Sequence, residues 1–289
     1  MNLTGVNIVH IVHNEHSGIF DDVIELLADS FVQLGVPVTR SQNTLNDSLL
    51  NTLIGHTAFI SPKELMIILQ SKAPFVVCQM EMLHEKVGVA QLMPAYLHFL
   101  KHAPQVWDYS LSNLAYLQAR GYRNVLRIPL GYSARLERIN HADVRDIDVL
   151  FYGSPNDRRE KIINDLLARG AKAEIHFGKY GAERDALIGR AKVVLNIHQF
   201  DSPVLEEARI SFLLNNRCFV VSEVGEYDPY AGGVVYADYN NLADCCMSYL
   251  APGMETNRAQ IAERGYANLK TIPTVASLRA ALQSLRIER

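Results

Sequence analysis

The sequence predicts an α/β protein built from two doubly wound, Rossmann-like domains facing a cleft, and three observations predict it. Short apolar runs alternate with amphipathic helical stretches through both halves of the chain. A polar, aperiodic segment, LGYSARLERINHADVRDI (130–147), interrupts that alternation near the middle. The length, 289 residues, suits two domains of about 140 residues each. The expected boundaries are a first domain at 1–130, a linker at 131–146, a second domain at 147–272 and a final helical segment at 273–289. The apolar stripe Val275, Leu278, Leu282 and Leu285 fits that last helix for packing back on the first domain.

In the first half, VNIVHIV (6–12) is an apolar run typical of a strand buried on both faces. Residues 19–34 place Ile19, Val23, Leu26, Leu27, Phe31 and Leu34 at helical spacing, and Gly35 ends the helix. VPV (36–38), HTAFIS (56–61), PFVVC (74–78) and NVLRIP (124–129) are the further strand candidates, with helices near 62–71, 93–102 and 112–120, the last closed by Gly121. The second half restarts with the strand DVLFYG (148–153) and a helix at 157–169 ended by Gly170. KAEIHFG (172–178) and VVLNIH (193–198) follow as strands around a helix at 182–191. A helix at 203–214, the strands CFVVSE (218–223) and GVVYA (233–237), and further helices complete the pattern.

Apolar residues make up 48% and charged residues 20% of the chain, with a formal net charge of −3. That balance excludes a strongly basic nucleic-acid binder and leaves room for a local basic pocket. Cys78, Cys218, Cys245 and Cys246 show neither metal-ligand spacing nor a disulfide framework. No apolar run reaches the roughly 18 residues of a membrane span. MNLTGVNIVHIV lacks a basic leader region and reads as a first strand rather than a signal peptide. A reducing, cytoplasmic setting is expected.

Ligands of open α/β sheets bind beyond the carboxyl ends of the strands, so the residues just after each strand carry the functional signal. Gly153-Ser154-Pro155-Asn156-Asp157-Arg158-Arg159 follows one strand. Gly153 permits a tight turn, Asn156 or Asp157 can cap the next helix, and Arg158 and Arg159 suit a diphosphate. It is neither a P-loop nor a dinucleotide fingerprint. Gly178-Lys179-Tyr180-Gly181 follows the next strand and can wrap a nucleobase, with Tyr180 stacking. VLNIHQFDSPVLEEARIS (194–211) then sets Asn196, His198, Glu206, Glu207 and Arg209 around one turn. Ser202 can cap a helix with Pro203 at its first position. Arg209 lies near that helix's positive end, where a cation suits an anion bound in front, and Glu206 can accept from ribose hydroxyls. The alternative for each motif is ordinary structure: a capped helix, a glycine turn, a surface Glu206–Arg209 pair, a core histidine. In the first half, His13, Glu15 and His16 follow the first strand, and Glu81 ends another. Each is a candidate base for an acceptor hydroxyl. Asp108 and Tyr109 lie near a third strand end, and Trp107 reads as core.

The segments DVLFYGSPNDRR, FGKYGAERDALIGRAKVVLNIH and EEARISFLLNNRCFVVSE, with QMEM, VWDYSLSNLAYLQARGY and IPLGY upstream, resemble a bacterial family of GT-B-fold glycosyltransferases. The carboxyl-terminal domain of that family is of the "glycosyl transferases group 1" type. The resemblance covers roughly residues 74–250 and rests on the order and spacing of the segments. It implies a nucleotide diphosphate sugar as donor, bound by the second domain, and a saccharide, lipid-linked or protein acceptor on the first. Gly153, Ser154 and Arg158 match the phosphate turn, and Lys179 with Tyr180 the loop near the base. Asn196, His198, Glu206 and Arg209 match the donor end. Three positions depart from the pattern: Phe212 stands where a ribose-facing glutamate is common, Asn216 where a glycine is, and Gln199 eight residues before Glu207 where a second glutamate is frequent. The expected reading is a transferase needing no cofactor and no metal, since no Asp-x-Asp or His/Cys cluster is present and Arg158, Lys179 and Arg209 would stabilise the departing diphosphate. The alternatives are a catalytically silent sugar-nucleotide-binding subunit of a polysaccharide-assembly complex, which Phe212 favours, or a sugar-nucleotide epimerase or hydrolase on the same frame.

Overall fold

The computed structural model describes residues 4–83, 93–201 and 204–286. The chain divides into two compact units, Met1–Leu130 with Pro273–Arg289, and Gly131–Ile272.

In the first unit the elements run β1 (Val6–Ile11), α1 (Asp21–Gln33), β2 (Val38–Gln42), β3 (Leu50–Gly55), α2 (Pro62–Gln70), β4 (Phe75–Gln79), α3 (Met93–His102), β5 (Val106–Asp108), α4 (Leu111–Ala119) and β6 (Val125–Arg127). The six strands are parallel in the order β2-β1-β3-β4-β5-β6. Val9, Leu53, Val77, Phe99 and Val106 share one buried cluster. The strand expected at 56–61 is instead a turn, and the strand lies just before it at β3. Its polar Asn51 and Thr52 hide the period, but both are buried. Asn51 donates to the Pro74 and Asn46 carbonyls and accepts from Asn7. VPV leads into the edge strand β2 rather than forming it.

The second unit contains β7 (Ile147–Tyr152), α5 (Asp157–Ala168), β8 (Ala173–His176), α6 (Gly181–Arg190), β9 (Ala191–Asn196), α7 (Glu207–Asn215), β10 (Val220–Glu223), β11 (Val235–Ala237), α8 (Leu242–Leu250) and α9 (Glu255–Leu269). Its strands are parallel in the order β11-β10-β9-β7-β8. Val149, Phe151, Val193, Leu195 and Val221 form the core of the sheet. Residues 131–146, polar and aperiodic in sequence, belong to this unit. The Asn215 side chain accepts from the Ser133 amide at 3.0 Å. Asn216 Oδ1 accepts from the Arg138 and Ile139 amides at 2.8 and 2.9 Å. A glycine at position 216 would have no side chain to make that clamp.

The chain then re-enters the first unit as α10 (Thr274–Ser284), on which Leu278 and Ala281 are buried. Thr274 Oγ1 donates to the Pro129 carbonyl at 2.8 Å, and Gln105 Nε2 donates to the Ala281 carbonyl at 3.2 Å.

Candidate functional site

In the second unit β7 has β8 on one side and β9 on the other, so consecutive connections leave the sheet in opposite directions there. A ligand crevice forms at the carboxyl end of such a reversal. Gly153 follows β7, Asn196 ends β9 and Glu223 ends β10, with Asn196 paired in register with Ser222. Gly153 has φ +144°, a conformation that favours glycine. A Cβ there would lie 2.8 Å from Arg209 Nη2 and 3.3 Å from Phe151 Cζ.

Asn196 is the hub. Its Nδ2 donates to Glu206 Oε2 and to Ser222 Oγ, both at 3.0 Å, and its Oδ1 accepts from Arg209 Nη1 at 2.8 Å. Arg209 also lies 5.3 Å from the Phe151 ring and 5.2 Å from that of Tyr152. His198 is buried, with Nδ1 2.6 Å from Glu206 Oε2 and Nε2 3.1 Å from the Val224 carbonyl. Both partners are acceptors, so both ring nitrogens donate and the ring is the charged imidazolium. Burial opposes that charge, but the Glu206 carboxylate outweighs it and raises His198 above its ordinary value. Burial likewise opposes ionisation of Glu206, and the His198 bond and charge, with Arg209 and Asn196, bring it down to about 2. Glu206 Oε1 is buried and accepts no hydrogen bond, and Arg159 Nη2 stands 3.9 Å away.

The helix expected at 203–214 begins later. Ser202 and Pro203 lie outside the described residues. Val204 and Leu205 are buried and lie outside the helix, and Glu206 is the N-cap residue of α7. Arg209 is therefore in the first turn of α7. Phe212 is buried on the same helix, with the Arg184 and Arg138 guanidinium groups 4.2 and 4.7 Å from its ring.

The other expected donor residues are placed as follows. Arg158 forms a two-pronged ion pair with Glu223, one prong at 2.7 Å, donates to the His198 carbonyl and stacks 4.0 Å from the Tyr239 ring. Arg159 is buried and braces the turn, donating to the Ile197 and Ser154 carbonyls and to Gln199. Burial and the Arg209 charge pull Arg159 down to about 9. Asn156 caps α5 by accepting from the Arg159 amide at 2.9 Å. Lys179 pairs with Glu183 at 3.1 Å on the surface, and Tyr180 is the N-cap residue of α6. Sequence reasoning missed Glu223, which accepts from Arg158 and from the His198 amide at 3.1 Å. Its signal was a carboxylate ending an apolar strand. Around Gly153, Arg158 is paired with Glu223 and His198 with Glu206, whereas Arg209 is hydrogen-bonded to neutral Asn196.

In the first unit, His13 is exposed and stacks on Phe59 at 6.5 Å, and Glu15 is exposed with His16 Nε2 3.8 Å away. Glu81 lies in a hydrogen-bonded net at the carboxyl ends of β4 and β5. Its carbonyl accepts from Gln79 Nε2 at 2.7 Å and Asn113 Nδ2 at 2.9 Å. Desolvation raises its carboxyl to about 7. Buried Asp108, also raised to about 7 by burial, accepts from Gln79 Nε2 at 2.8 Å. Trp107 is buried in β5.

No family model matches the chain. An uncharacterized protein of Acanthamoeba polyphaga mimivirus is 28% identical over 178 residues, which are 58% of this chain and 57% of that protein. A second protein of that virus is 25% identical over 240 residues, 77% of this chain and 27% of its own. The chain thus spans little more than half of the first relative and about a quarter of the second. Among solved structures, the pneumococcal O-GlcNAc transferase GtfA, in complex with UDP and GlcNAc, aligns with a TM-score of 0.54 at 10% identity, covering 83% of this chain and 57% of that one. An α1,3-fucosyltransferase aligns at 0.53 and 10% identity over 98% of this chain and 91% of that one. The trehalose-6-phosphate synthase of Burkholderia multivorans aligns at 0.54 and 12% identity over 92% and 76%. At such identities the likeness concerns the fold: the chain has the two-domain α/β GT-B fold, with parallel sheets of six and five strands. Among the described residues no helix is long and apolar enough to cross a membrane.

Proposed function

We propose that this chain transfers a glycosyl group from a nucleoside diphosphate sugar to an acceptor hydroxyl, without a metal ion. The observation that carries this reading is the arginine cluster at the strand reversal of the second unit. There Arg209 sits in the first turn of α7, bonded to neutral Asn196, beside a glycine whose missing Cβ leaves room at its guanidinium. Gly153, Ser154 and Arg209 bind the diphosphate, with Arg158 held beside them by Glu223. The likeness to a transferase solved with UDP supports this. Glu206 Oε1, buried without a donor, accepts from a hydroxyl of the nucleotide sugar. Lys179 and Tyr180 flank the base.

In the transfer, the acceptor oxygen bonds to the anomeric carbon as its bond to the diphosphate oxygen breaks. The acceptor proton passes to a general base. Of the candidates, Glu81 has the ionisation range best suited to the task, about 7; His13 and Glu15 are the alternatives. Charge on the departing diphosphate is offset by Arg209 and by the positive end of the α7 dipole.

The test is to incubate the chain with a panel of UDP, GDP and dTDP sugars and saccharide acceptors, in EDTA, and to measure free nucleoside diphosphate. The expected result is acceptor-dependent release that persists in EDTA. Binding without release from any donor would instead identify a silent subunit. An altered sugar without acceptor would identify an epimerase, and activity lost in EDTA and restored by magnesium or manganese would overturn metal independence.

A further inference from the structure

A cavity of about 520 Å³ lies within the second unit at the amino-terminal edge of its sheet, opposite the strand ends that carry the nucleotide reading. Arg145 precedes β7, Lys192 is in the first residues of β9, Arg217 and Phe219 precede β10, and Arg258 comes from the first turn of α9. The volume falls in the usual range for small-molecule sites.

Its charges are unevenly matched. Lys192 pairs with Asp148 at 2.6 Å, Arg217 with Glu263 at 3.1 Å, and Arg258 has Glu255 at 3.8 Å. Asp143 is exposed. Arg145, half-buried, donates only to the Ala191 carbonyl at 3.3 Å and has no carboxylate partner among the described residues. Its guanidinium therefore faces the cavity with most donors unspent, next to the like charge of Arg258.

His141 lines the same cavity and supplies the opposite function. Its Nε2 lies 2.6 Å from the Asn216 carbonyl, which can only accept, so Nε2 carries the proton. Nδ1 is buried and makes no hydrogen bond. Burial and the neighbouring arginines keep the ring neutral, so Nδ1 is an acceptor. The Nε2 bond holds the ring, and the adjacent backbone is tied down by the Ala142 amide, which donates to the Gly189 carbonyl at 3.0 Å. Guanidinium donors beside one waiting acceptor match an anion that also carries a hydroxyl, and match a bare divalent anion poorly.

We propose that this cavity binds a small soluble phosphomonoester, with Arg145 and Lys192 on the phosphate oxygens and His141 Nδ1 accepting from a hydroxyl of the ligand. The inference stands independently of the donor site. Calorimetric titration with glycerol 3-phosphate tests it, with sodium sulfate as comparison and with UDP added to saturation. The expected result is one saturable site that prefers glycerol 3-phosphate and is indifferent to UDP. Arg145→Gln should weaken binding about ten- to a hundredfold, and His141→Phe, which removes the acceptor, should abolish the preference over sulfate. Lys192→Gln, on the part-exposed rim, should weaken binding about threefold or more and serves if the Arg145 variant fails to fold. No saturable binding, binding unchanged in both cation variants, or displacement by UDP would overturn the proposal.

Discussion

Arg209 has a neutral hydrogen-bond partner in Asn196 and a glycine against its far nitrogen, and these two facts set opposite tests. Arg209→Ala removes a charge-assisted contact worth about 1.5–3 kcal/mol, so affinity for a nucleoside diphosphate should fall about 10- to 150-fold. Affinity for the monophosphate should change little, if the guanidinium holds the distal phosphate. Calorimetry of both nucleotides checks this, and equal losses or none would return Arg209 to a structural role. Gly153→Ala should weaken diphosphate binding from the other side, because its Cβ would displace Nη2 and the backbone at φ +144° disfavours any side chain. A pH effect also belongs at this scale. His198 is raised above its ordinary 6.5, so its stabilisation is fully present below 6.5 and is lost as pH rises through the folded value. Glu206 is lowered from 4.5 to about 2, so its stabilisation is present above 4.5 and is lost as pH falls towards 2. The pair is strongest between those limits. His198→Gln should cost about 1–3 kcal/mol at pH 6 and flatten the decline towards pH 9, read from urea midpoints. Asn196, His198, Glu206 and Arg209 were legible in the sequence because all lie within 14 residues around one strand end. Glu223 was not, because its partners lie 65 and 25 residues away.

The elements most clearly legible were those whose apolar residues follow strand or helix spacing with few polar interruptions: β1, β4 and β7, and the helices α1 and α5. β3 was misplaced because Asn51 and Thr52 interrupt its apolar run, and burial of Asn51 depends on partners contributed by β1 and by the chain before β4. The start of α7 was misplaced because Val204 and Leu205 have helical spacing but are used as buried anchors of the preceding turn. Close packing gives a sharper case in α9. Gly265 lies mid-helix, where alanine is ordinarily better by about 1 kcal/mol. Here a Cβ would stand 2.7 Å from the Gly233 carbonyl oxygen and 2.6 Å from Leu214 Cδ2, and a Cβ on Gly233 would lie 2.2 Å from Gly265 Cα. The helix approaches the chain before β11 through two opposed glycines. Gly265→Ala should therefore destabilise by about 1–3 kcal/mol, the reverse of the propensity rule. A urea midpoint equal to or above that of the parent would show that the approach relaxes without cost.

At the level of the whole chain, fold class was legible because the strand–helix alternation is repeated on both sides of a polar segment. The attachment of that segment to the second unit was not, since it depends on the side chains of Asn215 and Asn216, some 80 residues later. The path of the chain also gives a measurable dependence. The first unit contains both ends of the sequence, and its sheet reaches α10 through one polar chain. Trp107 Nε1 donates to Gln105 Oε1 at 2.9 Å, and Gln105 Nε2 donates to the Ala281 carbonyl and to Ser284 Oγ at 3.0 Å. Trp107 is the single tryptophan of the protein and is buried, with the Phe31 ring of α1 6.2 Å away. Its emission therefore reports on the first unit alone, whereas circular dichroism reports on both. Deleting residues 273–289 removes buried Leu278, by itself worth about 2–5 kcal/mol, and leaves the Gln105 amide without its acceptors. Against a typical stability of about 5–15 kcal/mol for a folded domain, that is a large fraction. The truncated chain should show red-shifted tryptophan emission and a fluorescence midpoint at lower urea, while the dichroism transition separates into two steps because the second unit keeps all its own contacts. An unchanged emission maximum and midpoint would mean that α10 lends the first unit no stability.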